Sequence, residues 1–166
     1  MNDVYLSLGS NISPRLDTLD SGLNALIDLH DTSIQSISSI YETESVTLTP
    51  QSSYLNLAVC LKTKLNPEIF LKYCGLIEQS HGRPLVRQKN EPRSLDIDII
   101  FFGDIILDSK LLQLPHPRYK LRRFVLVPLC EIAADLICPL SGYSITQILE
   151  GCDDTCDVSL LVKETI

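Results

Sequence analysis

Apolar positions along the chain switch between two periods, and the switches mark the elements. Val4 to Leu8 alternate and predict a first strand that ends at Gly9-Ser10-Asn11. Ser13-Pro14 reads as an N-cap followed by proline at the first helical position. Leu16, Leu19, Leu23, Leu26 and Ile27 then recur at helical spacing and predict a helix to about Leu29. Thr32 to Glu44 alternates through Ile34, Ile37 and Ile40 and predicts one extended strand. After a polar loop, Ser45 to Ser53, the positions Leu55, Leu57, Val59 and Leu61 predict a strand over Tyr54 to Leu65. Asn66-Pro67 repeats the cap-plus-proline device, and Ile69, Phe70, Tyr73, Cys74 and Ile77 give the second helix its apolar face. Gly82 to Ser94 is a polar, positively charged loop. Leu95 to Phe102 predicts a strand that Gly103-Asp104 turns into Ile105 to Leu107. Pro115-His116-Pro117 is a rigid extended passage, Arg123 to Ala133 a third helix, Gly142 to Glu150 a short fourth one, and Val158 to Val162 an edge strand.

The order β-α-β-β-α-β predicts an α+β fold, a ferredoxin-like sandwich with additional C-terminal helices. No repeat, low-complexity tract or linker interrupts it, so the 166 residues predict a single domain, 1–166. Apolar residues make up 45% of the chain, enough for a real core. No apolar run approaches the ~20 residues of a membrane helix, and Met1-Asn2-Asp3 opens no signal peptide, so a soluble, cytoplasmic protein is expected. The six cysteines form no CxxC pair and predict free thiols rather than a metal or disulfide framework.

Charge changes the picture locally. The chain carries −7 in all, which argues against nucleic acid and anionic membranes as partners. Arg83 to Arg123 nevertheless holds nine basic and five acidic residues, so this stretch is +4 on a remainder of −11. A basic zone of that size suits a small polyanion.

Within it lies the most informative run, Leu95-Asp96-Ile97-Asp98-Ile99-Ile100-Phe101-Phe102. Strand alternation sends Leu95, Ile97, Ile99 and Phe101 to one face and Asp96, Asp98, Ile100 and Phe102 to the other, with the aspartate Cα atoms ~7 Å apart. Two ionised carboxylates on an apolar face need a cation between them, and Mg²⁺ shared with phosphate oxygens meets that need. A strand end in solvent would need no such partner. The surrounding cations weigh against that blander reading: Arg83, Arg87, Lys89 and Arg93 before the strand, and His116, Arg118, Arg122 and Arg123 after it. Carboxylates for metal beside arginines for phosphate are the equipment of phosphoryl transfer. There is no GxxxxGK[ST] and no GxGxxG, so a nucleotide would be held neither by a P-loop nor by a dinucleotide-binding turn. Tyr54 and Asn56 share a strand face and could stack on and hydrogen-bond a flat heterocycle. On spacing alone a core tyrosine and a strand-edge asparagine are the commoner outcome, and Phe124 alone reads as core.

Taken together, these residues resemble the family of 6-hydroxymethyl-7,8-dihydropterin pyrophosphokinases of folate biosynthesis. The matching pieces are Leu8-Gly9-Ser10-Asn11, Ser38-Ser39-Ile40-Tyr41-Glu42-Thr43, Tyr54-Leu55-Asn56, Ile77-Glu78 and Gly82-Arg83. They continue with Pro92-Arg93-Ser94-Leu95-Asp96-Ile97-Asp98-Ile99, Leu114-Pro115-His116-Pro117-Arg118 and Arg122-Arg123-Phe124-Val125-Leu126-Val127-Pro128-Leu129. The likeness covers about residues 1 to 150, and PRxxDxD with PHPR and RxFVLxPL is a specific combination. It implies a ferredoxin-like fold and transfer of diphosphate from ATP to the pterin hydroxymethyl oxygen, releasing AMP. It implies that Asp96 and Asp98 bind two Mg²⁺. It also implies that Arg93, His116 and Arg122 grip the ATP phosphates, that Arg83 reaches in from its loop, and that Glu78 lies beside the nucleotide. Thr43, Val46, Tyr54, Asn56 and Phe124 would frame the pterin, with Tyr54 and Phe124 as stacking faces. Where the family often has a second loop arginine and Trp-Gly, this chain has Leu85 and Asn90-Glu91, with Arg87 as the substitute cation. A monomer is expected. The rival reading is a catalytically silent ferredoxin-like domain that binds a nucleotide or partner.

Overall fold

The computed structural model describes residues 1–44, 52–82 and 94–162. Its centre is an antiparallel sheet. Strand β1 (Asn2–Ser10) lies between β4 (Tyr54–Thr63) and β5 (Asp96–Phe102). Beyond β4 come β2 (Thr32–Ile37) and β3 (Ile40–Thr43), and β8 (Val158–Val162) closes the far edge against β3. The strand order is β5-β1-β4-β3-β8, with β2 also on β4. β4 is buried along almost its whole length because it has neighbours on both sides and helices on both faces.

Helices α1 (Arg15–Ile27) and α2 (Pro67–Ser80) cover one face. Leu19, Leu23 and Leu26 of α1 and Phe70, Cys74 and Ile77 of α2 pack with Val4, Leu6, Leu8, Leu57, Val59, Leu61, Ile97 and Ile99. Each fully buried aliphatic side chain here contributes roughly 1.5–3 kcal/mol of transfer free energy. Gly22 brings α1 close to this layer, since a Cβ there would come within 2.8 Å of Leu95 Cδ2. Asn66 caps α2 by accepting from the Ile69 N–H at 2.9 Å, with Pro67 opening the helix.

The other face carries α3 (Arg123–Ala133) and α4 (Ile145–Glu150). Val125, Leu126, Leu129 and Ile145 pack there with Ala58, Ile100, Phe101 and Tyr119. Ser144 and Gln147 close a reciprocal capping box on α4. A small hairpin, β6 (Leu107–Asp108) with β7 (Gln113–Leu114), and a single 3-10 turn (Tyr119–Leu121) lead from β5 to α3. No helix of the described residues is long and apolar enough to cross a membrane. All six cysteines are free.

Four expectations need correction. The extended run Thr32 to Glu44 is two strands, because Ser38 turns inward: its N–H donates to Ala58 O at 2.9 Å and its Oγ accepts from Ala58 N at 2.8 Å. Helix α1 starts one residue late, on a Pro14 that has no side chain to cap with, and Thr18 N–H bonds Pro14 O at 3.0 Å instead. Its expected core residues Leu16 and Ile27 are exposed, while Gly22 is buried in their place. Of Ile105 to Leu107 only Leu107 is in a strand, and that short strand, β6, pairs with β7, not with the main sheet.

The fourth concerns β5. Leu6 faces Ile99 and Tyr5 faces Phe101, so Ile100 is an extra residue, a β-bulge. Past the bulge the alternation reverses: Phe101 joins Ile100 under α3, and Phe102 joins Ile99 under α2. The phase of Asp96 and Asp98, before the bulge, is as expected.

Candidate active site

Antiparallel register places residues directly opposite one another on the same face. Asp96 on β5 faces Gly9 on β1, Gly9 faces Asn56 on β4, and Asn56 faces Tyr41 on β3. One rung along, Asp98 faces Ser7, and Ser7 faces Ala58. Ala58 and Ile100 belong to the cluster under α3, so this polar row continues the same face beyond the helices. A carboxylate pair at one edge is thereby joined across Gly9 to an amide, a hydroxyl and an aromatic at the other.

At the carboxylate end, Asp98 Oδ2 lies 3.5 Å from Arg122 Nη1 and 4.0 Å from His116 Nε2. His116 is held from two sides. Its backbone N–H donates to Ile100 O at 2.9 Å, and its ring Nδ1 accepts from the Arg118 N–H at 3.2 Å. With Nδ1 an acceptor, the neutral ring carries its proton on Nε2, the atom nearest Asp98. Burial, helped by the Arg122 and Arg118 charges, pushes the His116 pKa below its ordinary value against the pull of Asp98 and Asp96. His116 is therefore a neutral N–H donor at pH 7. Arg122 is also stacked toward Phe124, its Cζ 5.7 Å from the ring centroid.

Glu78 stands behind this end. It is buried in α2, and its Oε1 accepts from the Ile97 N–H at 2.9 Å. Ile97 separates the two aspartates, so Glu78 fixes the outer edge of β5 where they project. The donor set itself fits Mg²⁺. Asp96 and Asp98 are hard oxygen donors two residues apart, partly open to solvent. Among the described residues no group of three or more His, Cys, Asp or Glu side chains could hold a metal alone, so remaining ligands would come from phosphate and water.

At the other end, Asn56 is buried and its Nδ2 donates to Thr43 Oγ1 at 2.9 Å. Its Oδ1 is turned over Gly9, where a Cβ would come within 3.1 Å of it. Thr43 faces Tyr54 across β3 and β4, and Phe124 occupies the second position of α3 on the same side of the sheet. Arg15 Nη1 reaches Glu42 Oε1 and Ser53 O, each at 2.8 Å, and ties the starts of α1 and β4 to the end of β3. The Ser53 hydroxyl, and after it Arg15, holds the Glu42 carboxyl below its ordinary value.

The fold thus brings together Thr43, Tyr54, Asn56, Asp96, Asp98, His116, Arg122 and Phe124, with Glu78 one layer behind. Val46, Arg83, Arg87 and Arg93 lie outside the described residues. Sequence reasoning missed two contributors. Glu131 of α3 accepts from Ser39 N at 3.0 Å, Ser39 Oγ at 2.8 Å and Tyr41 Oη at 2.9 Å, fixing β3 under the helix. Burial and this carboxylate push the Tyr41 pKa up to about 12. The signal was available, since Glu131 is the only charge in the otherwise apolar run from Phe124 to Ala134. Gly9 is the other, as the bare floor between the two ends.

Residues 5–134 match the family model described as 7,8-dihydro-6-hydroxymethylpterin-pyrophosphokinase (HPPK). The chain is 40% identical over 152 residues to the 2-amino-4-hydroxy-6-hydroxymethyldihydropteridine pyrophosphokinase of Synechocystis, covering 92% of this chain and 77% of that protein. It is 36% identical over 150 residues to the protein of that name from Haemophilus influenzae, covering 90% and 92%. It is also 36% identical over 147 residues to the folic acid synthesis protein fol1 of Pneumocystis carinii, of which it spans only 20%. Among solved structures, a Plasmodium falciparum HPPK-DHPS chain crystallised with pterin and p-hydroxybenzoate superposes with a TM-score of 0.69 at 18% identity. That match covers 90% of this chain and 42% of the other, and it speaks for the fold alone. By family model and by identity over nearly its whole length, the chain belongs to the 7,8-dihydro-6-hydroxymethylpterin-pyrophosphokinase family.

Proposed function

We propose that this chain transfers the terminal diphosphate of ATP to the hydroxymethyl oxygen of 6-hydroxymethyl-7,8-dihydropterin, releasing AMP, as a step of folate biosynthesis. The observation that carries this reading is the polar row across the sheet. A carboxylate pair with an arginine and a neutral histidine stands at one end, and a heterocycle-binding set stands at the other, with Gly9 between them. The names of the relatives agree with it. The sheet order β5-β1-β4-β3, with α1 and α2 crossing one face, supports reading the fold as a ferredoxin-like split βαβ sandwich. Both apolar clusters share that one sheet, which supports a single domain over residues 1–166.

In the reaction the pterin oxygen bonds to the β-phosphorus, the bond from that phosphorus to the α-phosphate oxygen breaks, and the hydroxyl proton leaves to solvent. Bound Mg²⁺, held by Asp96 and Asp98 with two ions expected, would neutralise charge on the migrating diphosphate. Arg122 supplies a fixed positive charge beside Asp98, where a phosphate oxygen would arrive. His116 offers its Nε2–H there without adding charge. Glu78 acts on the nucleotide side through the Ile97 N–H that it holds. Arg83, Arg87 and Arg93 complete the phosphate grip in this reading.

For the pterin, Asn56 supplies an amide whose orientation Thr43 fixes, so that Oδ1 accepts from the ring edge. Tyr54 and Phe124 supply the stacking faces, and the family resemblance adds Val46 to the residues that would frame the ring. Product analysis with ATP, Mg²⁺ and the hydroxymethyl pterin is the test. Equal amounts of AMP and pterin diphosphate are expected. Pterin-dependent ADP, or no nucleotide turnover at all, overturns the proposal, and the second outcome would favour a silent binding domain.

A further inference from the structure

The segment after the family match ends touches the start of α3, and it does so with one carboxylate. Helix α3 begins under poor local conditions. Its N-cap position is Arg122, which makes no side-chain cap bond, its first residue is Arg123, and no acid lies in its first turn. Two cations thus sit at the positive end of a helix whose early N–H groups need acceptors. The acceptor comes from 31 residues later: Asp154 Oδ2 takes the Arg123 N–H at 2.8 Å. The other oxygen of the same carboxylate takes the Cys156 N–H at 3.0 Å, so the fork is held by its own loop and aimed at the helix.

Arg123 is flanked by two residues of the site. Arg122 lies against Asp98, and Phe124 stands over the side of the sheet that carries Asn56. Beyond Cys156 the chain enters β8, where Val158 faces Thr43 and Ser159 faces Glu42 on β3. Residues 154 to 162 therefore clasp both walls of the proposed pterin site, the start of α3 and strand β3.

We propose that Asp154 is a positioning residue for this site, acting as a cap supplied from the C-terminal segment that sets where α3 begins and hence where Arg122 and Phe124 stand. This rests on the functional reading above. It predicts that Asp154→Ala weakens pterin binding by roughly tenfold while the fold survives, the size expected for loss of a helix cap that also displaces a stacking face. Asp154→Asn keeps a carbonyl for the Arg123 N–H and should bind pterin within about threefold of wild type, since asparagine caps as well as aspartate.

Two measurements on the full chain decide it. Calorimetric titration with 6-hydroxymethyl-7,8-dihydropterin, in the presence of Mg²⁺ and a non-hydrolysable ATP analogue, compares the two variants with wild type. Amide hydrogen exchange without ligand follows Arg123 and Phe124 against the middle of α3. Exchange about tenfold faster at Arg123 and Phe124 in Asp154→Ala, with mid-helix exchange unchanged, is the expected companion result. Wild-type pterin affinity in Asp154→Ala overturns the proposal, as does a loss in Asp154→Asn as deep as in Asp154→Ala. A wild-type protein that binds no pterin overturns the functional reading beneath it, whereas the ligand-free exchange still judges the cap, and unchanged exchange there defeats it.

Discussion

The face of the sheet under α1 and α2 and the face under α3 and α4 are built from alternate residues of the same strands. The first is apolar through its centre, with Ser10 and Thr63 buried toward its ends, and Glu78, the one buried carboxylate among the described residues, is turned outward to the edge of β5. The second is apolar only where α3 and α4 lie on it. Beyond their reach the positions that alternate with Leu6, Leu57 and Ile97 are Ser7, Asn56 and Asp96. The difference teaches how one sheet can fold and react. The closed face supplies enough burial for the strands to hold a row of polar groups on the open face. Those groups are oriented by hydrogen bonds instead of by packing.

That division can be broken from either side. The largest expected effect is on the closed face: Phe70→Ala should cost about 3–5 kcal/mol of stability, seen as a lower urea midpoint. Turnover per folded molecule should be nearly unchanged. A variant that kept its stability but lost activity would show that the faces are not separable in this way. Next comes Asp98→Ala, which should lower turnover by on the order of 100- to 1,000-fold. Its urea midpoint should stay close to wild type, because Asp98 lies outside both apolar clusters. Steady-state rates at saturating ATP and Mg²⁺ check this, and near-normal turnover would remove Asp98 from the reaction.

Smaller again, Asn56→Ala should weaken pterin binding by roughly tenfold or more, since an unpaired buried polar group costs ~1–3 kcal/mol. Nucleotide affinity, measured separately by calorimetry, should hold. Equal losses for both ligands would mean that the two ends of the row are one site. The smallest effect belongs to Glu42 at the rim. Its carboxyl titrates below its ordinary value in the folded chain, so the unfolded chain takes up the proton first on acidification. Its contribution is complete above about pH 4.5 and vanishes as pH falls through the depressed folded value. The stability gap between wild type and Glu42→Gln should therefore be small at pH 7 and narrow further as the pH falls below about 4.5. Urea melts at three pH values would test this, and a gap that widened in acid would refute the assignment.

Much of this was legible in the sequence because local signals and burial agree there. Asn66-Pro67 caps α2 as its residue types require, and Arg123 to Ala133 is helical over the expected span. Asp96 and Asp98 share a face, as do Tyr54 and Asn56, because alternation within a strand decides that, and the register of β1 with β4 and β5 then puts both pairs on the same side of the sheet. What escaped was set by distant partners. Ser38 breaks its strand because Ala58 of β4 offers both an N–H and a carbonyl to it. Pro14 stands at the cap although the residue types of the dipeptide favour Ser13 there. The roles of Glu131 and Asp154 depend on which segments meet across 92 and 31 residues of chain, which periodicity does not encode.

The bulge at Ile100 has a consequence for how this gene could tolerate change. A strand is a two-letter reading frame, in and out, and Ile100 is a single inserted letter halfway along β5. Upstream, the frame puts Asp96 and Asp98 in the open. Downstream, the shifted frame lets Phe101 and Phe102 each enter a different core, and the surplus carbonyl of Ile100 is the one that holds the backbone of His116. Deleting that one codon would not merely shorten the strand. It would leave Ile99, Phe101 and Phe102 in unbroken alternation on the faces they now occupy, so the frame would survive, but it would remove the Ile100 side chain from under α3 and take His116's anchor with it. At position 100 the cost of a one-residue deletion therefore falls on the placement of His116 beside Asp98 and not on the alternation of the strand.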